Sequence, residues 1–137
     1  MPDSTRRVEY FYVTVSDRPG EGVRLLTALK ESGVNLLAFS GFPAARRSQL
    51  DFVPENPAQF KEVVKKAGFK LVGPKRGFLI QGEDRTGALV EPLDKLSKAK
   101  INVTAMDAVC AGAGRYGAIL WVPPAAFKRA AKLLGVE

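Results

Sequence analysis

The chain contains no histidine. That removes the side chain that most often serves as general base near neutral pH and most often ligates transition metals. It has a single cysteine, Cys110, so no internal disulfide can form, and a zinc or haem site lacks a donor set. A lone thiol suits a reducing compartment, and a cytoplasmic protein is expected. Long apolar runs are also missing. The longest are strand-length, far short of the ~20 residues that span a bilayer, so no membrane partner is expected. Residues 1–7 have no apolar stretch of the signal-peptide kind and are expected to fray. No Ser-His, Cys-His or metal-spaced carboxylate set is present, so neither catalysis nor a cofactor or metal is expected.

What is present points to a folded protein with a core. Of the 137 residues, 46% are apolar, enough for one ordinary domain or two small ones. The net charge of +7 comes from 21 basic and 14 acidic residues, with the basic ones scattered as doublets such as Arg6-Arg7, Arg46-Arg47 and Lys128-Arg129. Solvated surface is the plain reading of such doublets. A docking face for RNA or an acidic protein partner is the alternative.

Two stretches organise the chain. Asp17-Arg18-Pro19-Gly20-Glu21-Gly22 and Asp84-Arg85-Thr86-Gly87-Ala88-Leu89 both read Asp-Arg-x-Gly, 67 positions apart. Each follows a strand-like apolar run and precedes a run with helical spacing. A turn that ends a strand and opens a helix presents unpaired backbone N–H groups, which can hold a small anion. The first half reads as strand Val8–Ser16, a helix through Val23, Leu26 and Leu29, strand Val34–Phe39, a loop over residues 41–47 and strand Gln49–Val53. A second helix follows, capped by Asn56 with Pro57 at its first position, and then strand Phe69–Val72. After a linker at 73–77 the same order restarts. It runs through strand Phe78–Gln81, a helix through Leu89, Leu93 and Leu96, strand Ile101–Cys110, a Gly-rich loop, strand Tyr116–Val122, and a helix from Pro123-Pro124 to Gly135. Asn35/Asn102, Phe60/Phe127 and Gly68/Gly135 match at the same offset of 67, as a duplication requires. The second copy stops before a fourth strand. Phe78–Gln81 is left with an open edge, which Phe69–Val72 folding back or another subunit would cover.

The repeated β-α-β-β-α-β order, with Asp-Arg-Pro-Gly or Asp-Arg-Thr-Gly after strand one and Gly-Val-Asn or Lys-Ile-Asn before strand two, resembles the ACT domain. The resemblance covers two domains, residues 8–73 and 76–137. It implies an α+β fold of two ferredoxin-like βαββαβ repeats, each an antiparallel sheet with helices on one face, the second lacking a clear fourth strand. It also implies a stand-alone regulator that binds an amino acid between two such domains, forms a homodimer, and acts on a regulated enzyme partner. The ligand-binding residues expected are Asp17, Arg18, Gly20, Glu21, Asn35 and Leu36 in the first copy. In the second they are Asp84, Arg85, Thr86, Gly87, Ala88, Leu89, Asn102 and Val103. If the copies pair through their second strands, each Asn approaches the other copy's turn. The ligand carboxylate would take helix N-terminal amides around Gly20–Glu21 or Gly87–Ala88, the Asn amide would meet its polar groups, and Asp17 or Asp84 its ammonium.

Two strings are decoys. Gly112-Ala113-Gly114-Arg115-Tyr116-Gly117 spells a dinucleotide fingerprint, but a strand follows where the fingerprint needs a helix; a flexible hairpin loop, able to act as a lid, is expected. Lys75-Arg76-Gly77-Phe78 resembles the start of an RNA-recognition motif, but it opens the wrong strand, and nucleic acid is not the expected partner. Cys110 is expected to be a small buried or rim residue, and Phe52 and Trp121 core.

Overall fold

The computed structural model describes residues 3–136. The chain divides into two compact units of unusual parentage. One is the continuous segment Glu9–Lys75, here the first unit. The other, the second unit, joins Met1–Val8 to Arg76–Glu137.

The first unit contains β1 from Glu9 onward (the whole strand is Ser4–Ser16), α1 (Glu21–Glu31), β2 (Leu36–Ala44), β3 (Arg47–Pro54), α2 (Pro57–Lys66) and the start of β4 (Leu71–Glu83). Its strand order is β2-β3-β1-β4. β1 and β2 both pair antiparallel to β3, with Phe11 opposite Phe52 and Phe39 opposite that same Phe52. Alternation along β1 sends Phe11, Val13 and Val15 to one face. Leu25 and Leu29 of α1 and Phe60 and Val64 of α2 close over them. α2 begins as its sequence dictates: Asn56 Oδ1 accepts from Gln59 N–H at 3.1 Å, and Pro57 stands at the first helical position.

The second unit repeats the plan with the rest of β4, α3 (Val90–Lys98), β5 (Ala105–Gly112), β6 (Arg115–Trp121), a 3-10 turn at Pro124–Ala126 and α4 (Phe127–Leu133). β4 and β5 pair antiparallel to β6. Phe78 stacks on Phe127 with centroids 4.6 Å apart and planes at 8°, and the Arg76 guanidinium lies 4.2 Å from the Phe127 centroid. Leu96, Ile101, Leu120, Ala130 and Ala131 complete this core.

No strand follows α4 among the described residues, and the vacant place beside β4 is filled from the start of the chain. Ser4–Val8 belongs to the second unit, β1 neighbours β4, and Ser4 Oγ donates to Gln81 O at 3.5 Å. The expectation that residues 1–7 fray is therefore corrected from Ser4 onward; Met1 and Pro2 lie outside the described residues. Neither expected cover of the open edge is used. The expected linker at 73–77 is itself strand, because β4 runs unbroken from Leu71 to Glu83 and serves both units.

Smaller corrections have local causes. The loop expected at 41–47 is a tight hairpin turning at Ala45-Arg46, with Ala45 at φ 57. The Gly-rich loop shrinks likewise to a two-residue turn at Ala113-Gly114, too short for a lid. β5 begins at Ala105 rather than Ile101, since Ile101–Val103 cross from helix to sheet. Cys110 is exposed, and its interaction with Asp84 pushes the thiol up, away from thiolate chemistry. Phe52 is fully buried as expected, whereas Trp121 is half-buried.

Candidate functional site

The first Asp-Arg-x-Gly turn follows β1. Asp17 accepts from Ser48 Oγ at 3.2 Å, and Arg18 Nε donates to Ser16 Oγ at 3.2 Å. Gly20 caps α1 at φ 94, a left-handed conformation that glycine adopts without cost, and no side chain caps the helix. Glu21 sits in the first helical turn, where the helix dipole favours a carboxylate, with Arg18 at 3.7 Å and Arg24 at 3.3 Å. An anionic ligand at this terminus would have to share it with Glu21.

The second turn is wired differently. Asp84 N–H donates to Gly114 O at 2.8 Å. Arg85 O accepts from Ala88 N–H at 3.2 Å, and Gly87 O, on a residue with φ 72, accepts from Val90 N–H at 3.0 Å. The Ala88 amide is thus occupied, and α3 starts only at Val90. Thr86 is exposed, whereas Ala88 and Leu89 pack on the core.

Arg85 turns back onto the sheet. Its Nη1 donates to Asp3 Oδ1 and its Nη2 to Asp3 Oδ2, each at 3.1 Å, and Nη1 also reaches Glu83 O. Tyr116 Oη donates to Asp3 Oδ2 at 2.7 Å. Directly beneath, a Cβ on Gly82 would overlap the Asp3 carboxylate. Arg85 and then Tyr116 hold the Asp3 carboxyl below its ordinary range, against the upward pull of partial burial. Burial, with Asp3 adding to it, pushes the Tyr116 hydroxyl up to about 12, so it remains a donor at neutral pH. A cleft of about 310 Å³ opens beside this group, lined by Thr5, Glu91 and Lys95 among others.

The two asparagines lie elsewhere. Asn35 Nδ2 donates to Glu55 Oε2 at 2.8 Å, and with Leu36 it lines an open cleft of about 430 Å³ at the end of α1. Asn102 is exposed between α3 and β5, and Val103 packs on the core. Within each unit the turn and the asparagine therefore stand at opposite ends of one helix. α1 has 11 residues and α3 has 9, so the ends are roughly 14–16 Å apart at 1.5 Å per residue. Neither unit brings its own turn and its own asparagine together.

Sequence reasoning missed Asp3, Gly82 and Tyr116, the three residues gathered around Arg85. Asp3 lay in a segment expected to fray, and neither Gly82 nor Tyr116 carries a local signal. Only the chain order β1 beside β4 beside β6 assembles them.

No family model matches the sequence, and no curated protein does. Solved structures do match in shape. A protein of Bacteroides thetaiotaomicron superposes with a TM-score of 0.83 at 15% identity, over 96% of this chain and 88% of that one. The ligand-free regulatory subunit of aspartate kinase from Thermus thermophilus gives 0.67 at 14% identity, over 98% and 95%. The corresponding subunit from Thermus flavus gives 0.57 at 14%, over 98% and 94%. The fold these structures share is α+β, of the ACT-like ferredoxin type. In each ACT-type unit the Asp-Arg-x-Gly turn joins the first strand to the first helix. The expected pairing of the two copies through their second strands is not made within the chain: β2 has β3 as its one sheet neighbour and β5 has β6. No helix among the described residues is long and apolar enough to cross a membrane.

Proposed function

We propose that this protein is a non-enzymatic, cytoplasmic regulator that binds a small amino acid through its Asp-Arg-x-Gly turns and the asparagines Asn35 and Asn102. One observation carries the reading: an Asp-Arg-x-Gly motif with a left-handed glycine lies between a strand and the helix that follows it in both units. The regulatory subunits of similar shape add support from their names alone. Turn and asparagine lie too far apart within a unit to share a ligand. A site using both draws them from two modules, and the ligand then favours one packing of those modules over another.

A homodimer belongs to this proposal, with a regulated enzyme as the further partner. On the edge strand β2, Phe39 and Phe42 are 43% and 44% exposed, and on β5 Val109 is 68% exposed. Such edges invite pairing with a second copy. Sedimentation tests the dimer. A thermal-shift screen of the twenty amino acids at millimolar concentration tests the ligand, because whatever binds only the folded state raises its melting temperature. The shift should vanish in Asn102→Ala if the second asparagine is used, or in Asn35→Ala if the first is. A shift that survives in both variants would overturn the assignment of the site.

A further inference from the structure

We propose that Gly82, Arg85 and Tyr116 form a receptor for a small carboxylate, and that Asp3 is its built-in occupant. Three donors converge on two oxygens. The Arg85 fork meets both Asp3 oxygens at 3.1 Å, and the Tyr116 hydroxyl adds a third bond at 2.7 Å. Parallel N–H bonds from a planar guanidinium are the geometry by which proteins recognise carboxylates. The floor is shaped for the group, since only a residue without a Cβ at position 82 leaves room for it. The Asp3 side chain keeps 19% of its exposure and Arg85 keeps 48%, so the carboxylate is the shielded side of the pair and the guanidinium the side open to solvent.

The first unit shows what a purely structural version of the place looks like. The position 67 residues before Gly82 is Val15, buried in the core, and opposite it in the sheet stands Ser48 where Tyr116 stands in the second unit. There is no cradle there, and no side chain from another segment is needed. The adjoining cleft offers a free ligand what Asp3 does not use. Its volume of about 310 Å³ is larger than a carboxymethyl group needs, and it is lined by Thr5, Glu91 and Lys95. Asp3 holds the receptor by tethering: it is always present at high effective concentration, so a free carboxylate must outcompete it. The inference shares Arg85 with the proposed amino-acid site. It needs neither the asparagines nor the turn amides, and it stands or falls separately.

Chemical rescue tests it. Asp3→Ala empties the receptor and should lower the melting temperature. Sodium acetate should then raise that temperature saturably, beyond sodium chloride at equal ionic strength, while leaving the unsubstituted protein unmoved. Asp3→Ala combined with Gly82→Ala closes the receptor and should abolish the acetate response. If Asp3→Ala does not fold, Asp3→Gly and Asp3→Ser carry the same comparison, and recovery of folded protein in acetate but not chloride is the positive result. The proposal is overturned if acetate and chloride act alike on the Asp3 variants, or if acetate stabilises the Gly82→Ala double variant equally. An amino-acid shift that survives in both Asn35→Ala and Asn102→Ala, with acetate rescue intact, would leave this site standing alone.

Discussion

The two units answer the same structural problem with different chemistry. In the first, Phe60 tilts against Phe11 and Phe52, with both centroids at 5.3 Å, and the nearby guanidinium of Arg24 covers Phe69 at the rim of the core rather than this central ring. In the second, the equivalent Phe127 stacks on Phe78, and Arg76 covers its ring at 4.2 Å with Arg7 at 5.7 Å. The first unit takes its fourth strand from the chain that follows α2. The second takes it from the chain's beginning and fastens it with a bidentate ion pair. Two units of one layer plan can therefore draw the same strand from different ends of the chain, provided that strand is anchored. Truncating each core ring tests how far the two remain equivalent. Phe60→Ala and Phe127→Ala should each cost about 3–5 kcal/mol in denaturant unfolding. A loss below ~1 kcal/mol for either would mean that its ring is not packed as described.

Exchanging residues at the point of divergence comes next in size. Val15→Gly removes a buried side chain and loosens β1, and should cost roughly 2–4 kcal/mol. Gly82→Val, the reverse exchange, should expel the Asp3 carboxylate and crowd Tyr116, whose Cε1 lies 3.0 Å from a Cβ built there. Increased hydrogen exchange at Ser4–Val8 would report the released strand, and unchanged protection there would contradict the anchoring role of Asp3.

Acid should act on one unit through this same carboxylate. Asp3 titrates below its ordinary value of 3.8, chiefly because of the Arg85 hydrogen bond. A carboxyl depressed in the folded state adds stability above its unfolded value, and that contribution is lost as pH falls through the folded value. The unsubstituted protein should therefore melt a few degrees above Asp3→Asn near neutral pH, and the gap should close as pH drops below about 4. A gap that persists unchanged into stronger acid would mean that the carboxylate charge is not what stabilises the strand.

Much of this was legible in the chain because it is local. The strand at Val8–Ser16, the Asn56-Pro57 helix start and the order of strands and helices all depend on near neighbours, and each has its counterpart in the structure. What escaped depends on pairing over long separations. Residues 4–7 are polar and read as frayed until β4 lies beside them. Gly73–Gly77 reads as a linker because its glycines and proline mask a strand held by neighbours on another segment. Arg85 was visible as a candidate, but its partner Asp3 lies 82 residues away, and no periodicity reports such a contact.

The C-terminal ends of α1 and α3 differ at one backbone position where packing plays no part. α1 and α3 both end with a left-handed residue whose following N–H closes the last turn: Val34 N–H to Leu29 O, and Ile101 N–H to Leu96 O, both at 2.9 Å. In the first unit that residue is Gly33, at φ 72; in the second it is Lys100, at φ 60. A side chain in the left-handed region costs about 1–2 kcal/mol, whereas glycine adopts it freely but gives up more freedom on folding, by roughly 0.5–1 kcal/mol. A Cβ built on Gly33 meets nothing within 4 Å, so Gly33→Ala isolates the backbone term. It should destabilise by about 0.5–1 kcal/mol, and Lys100→Gly should stabilise by a similar amount. Because the two helix ends share one geometry, the two changes should be nearly equal and opposite in denaturant titration. If Lys100→Gly destabilises instead, the lysine side chain makes a compensating interaction that its exposure does not suggest, and the two C-termini are not equivalent after all.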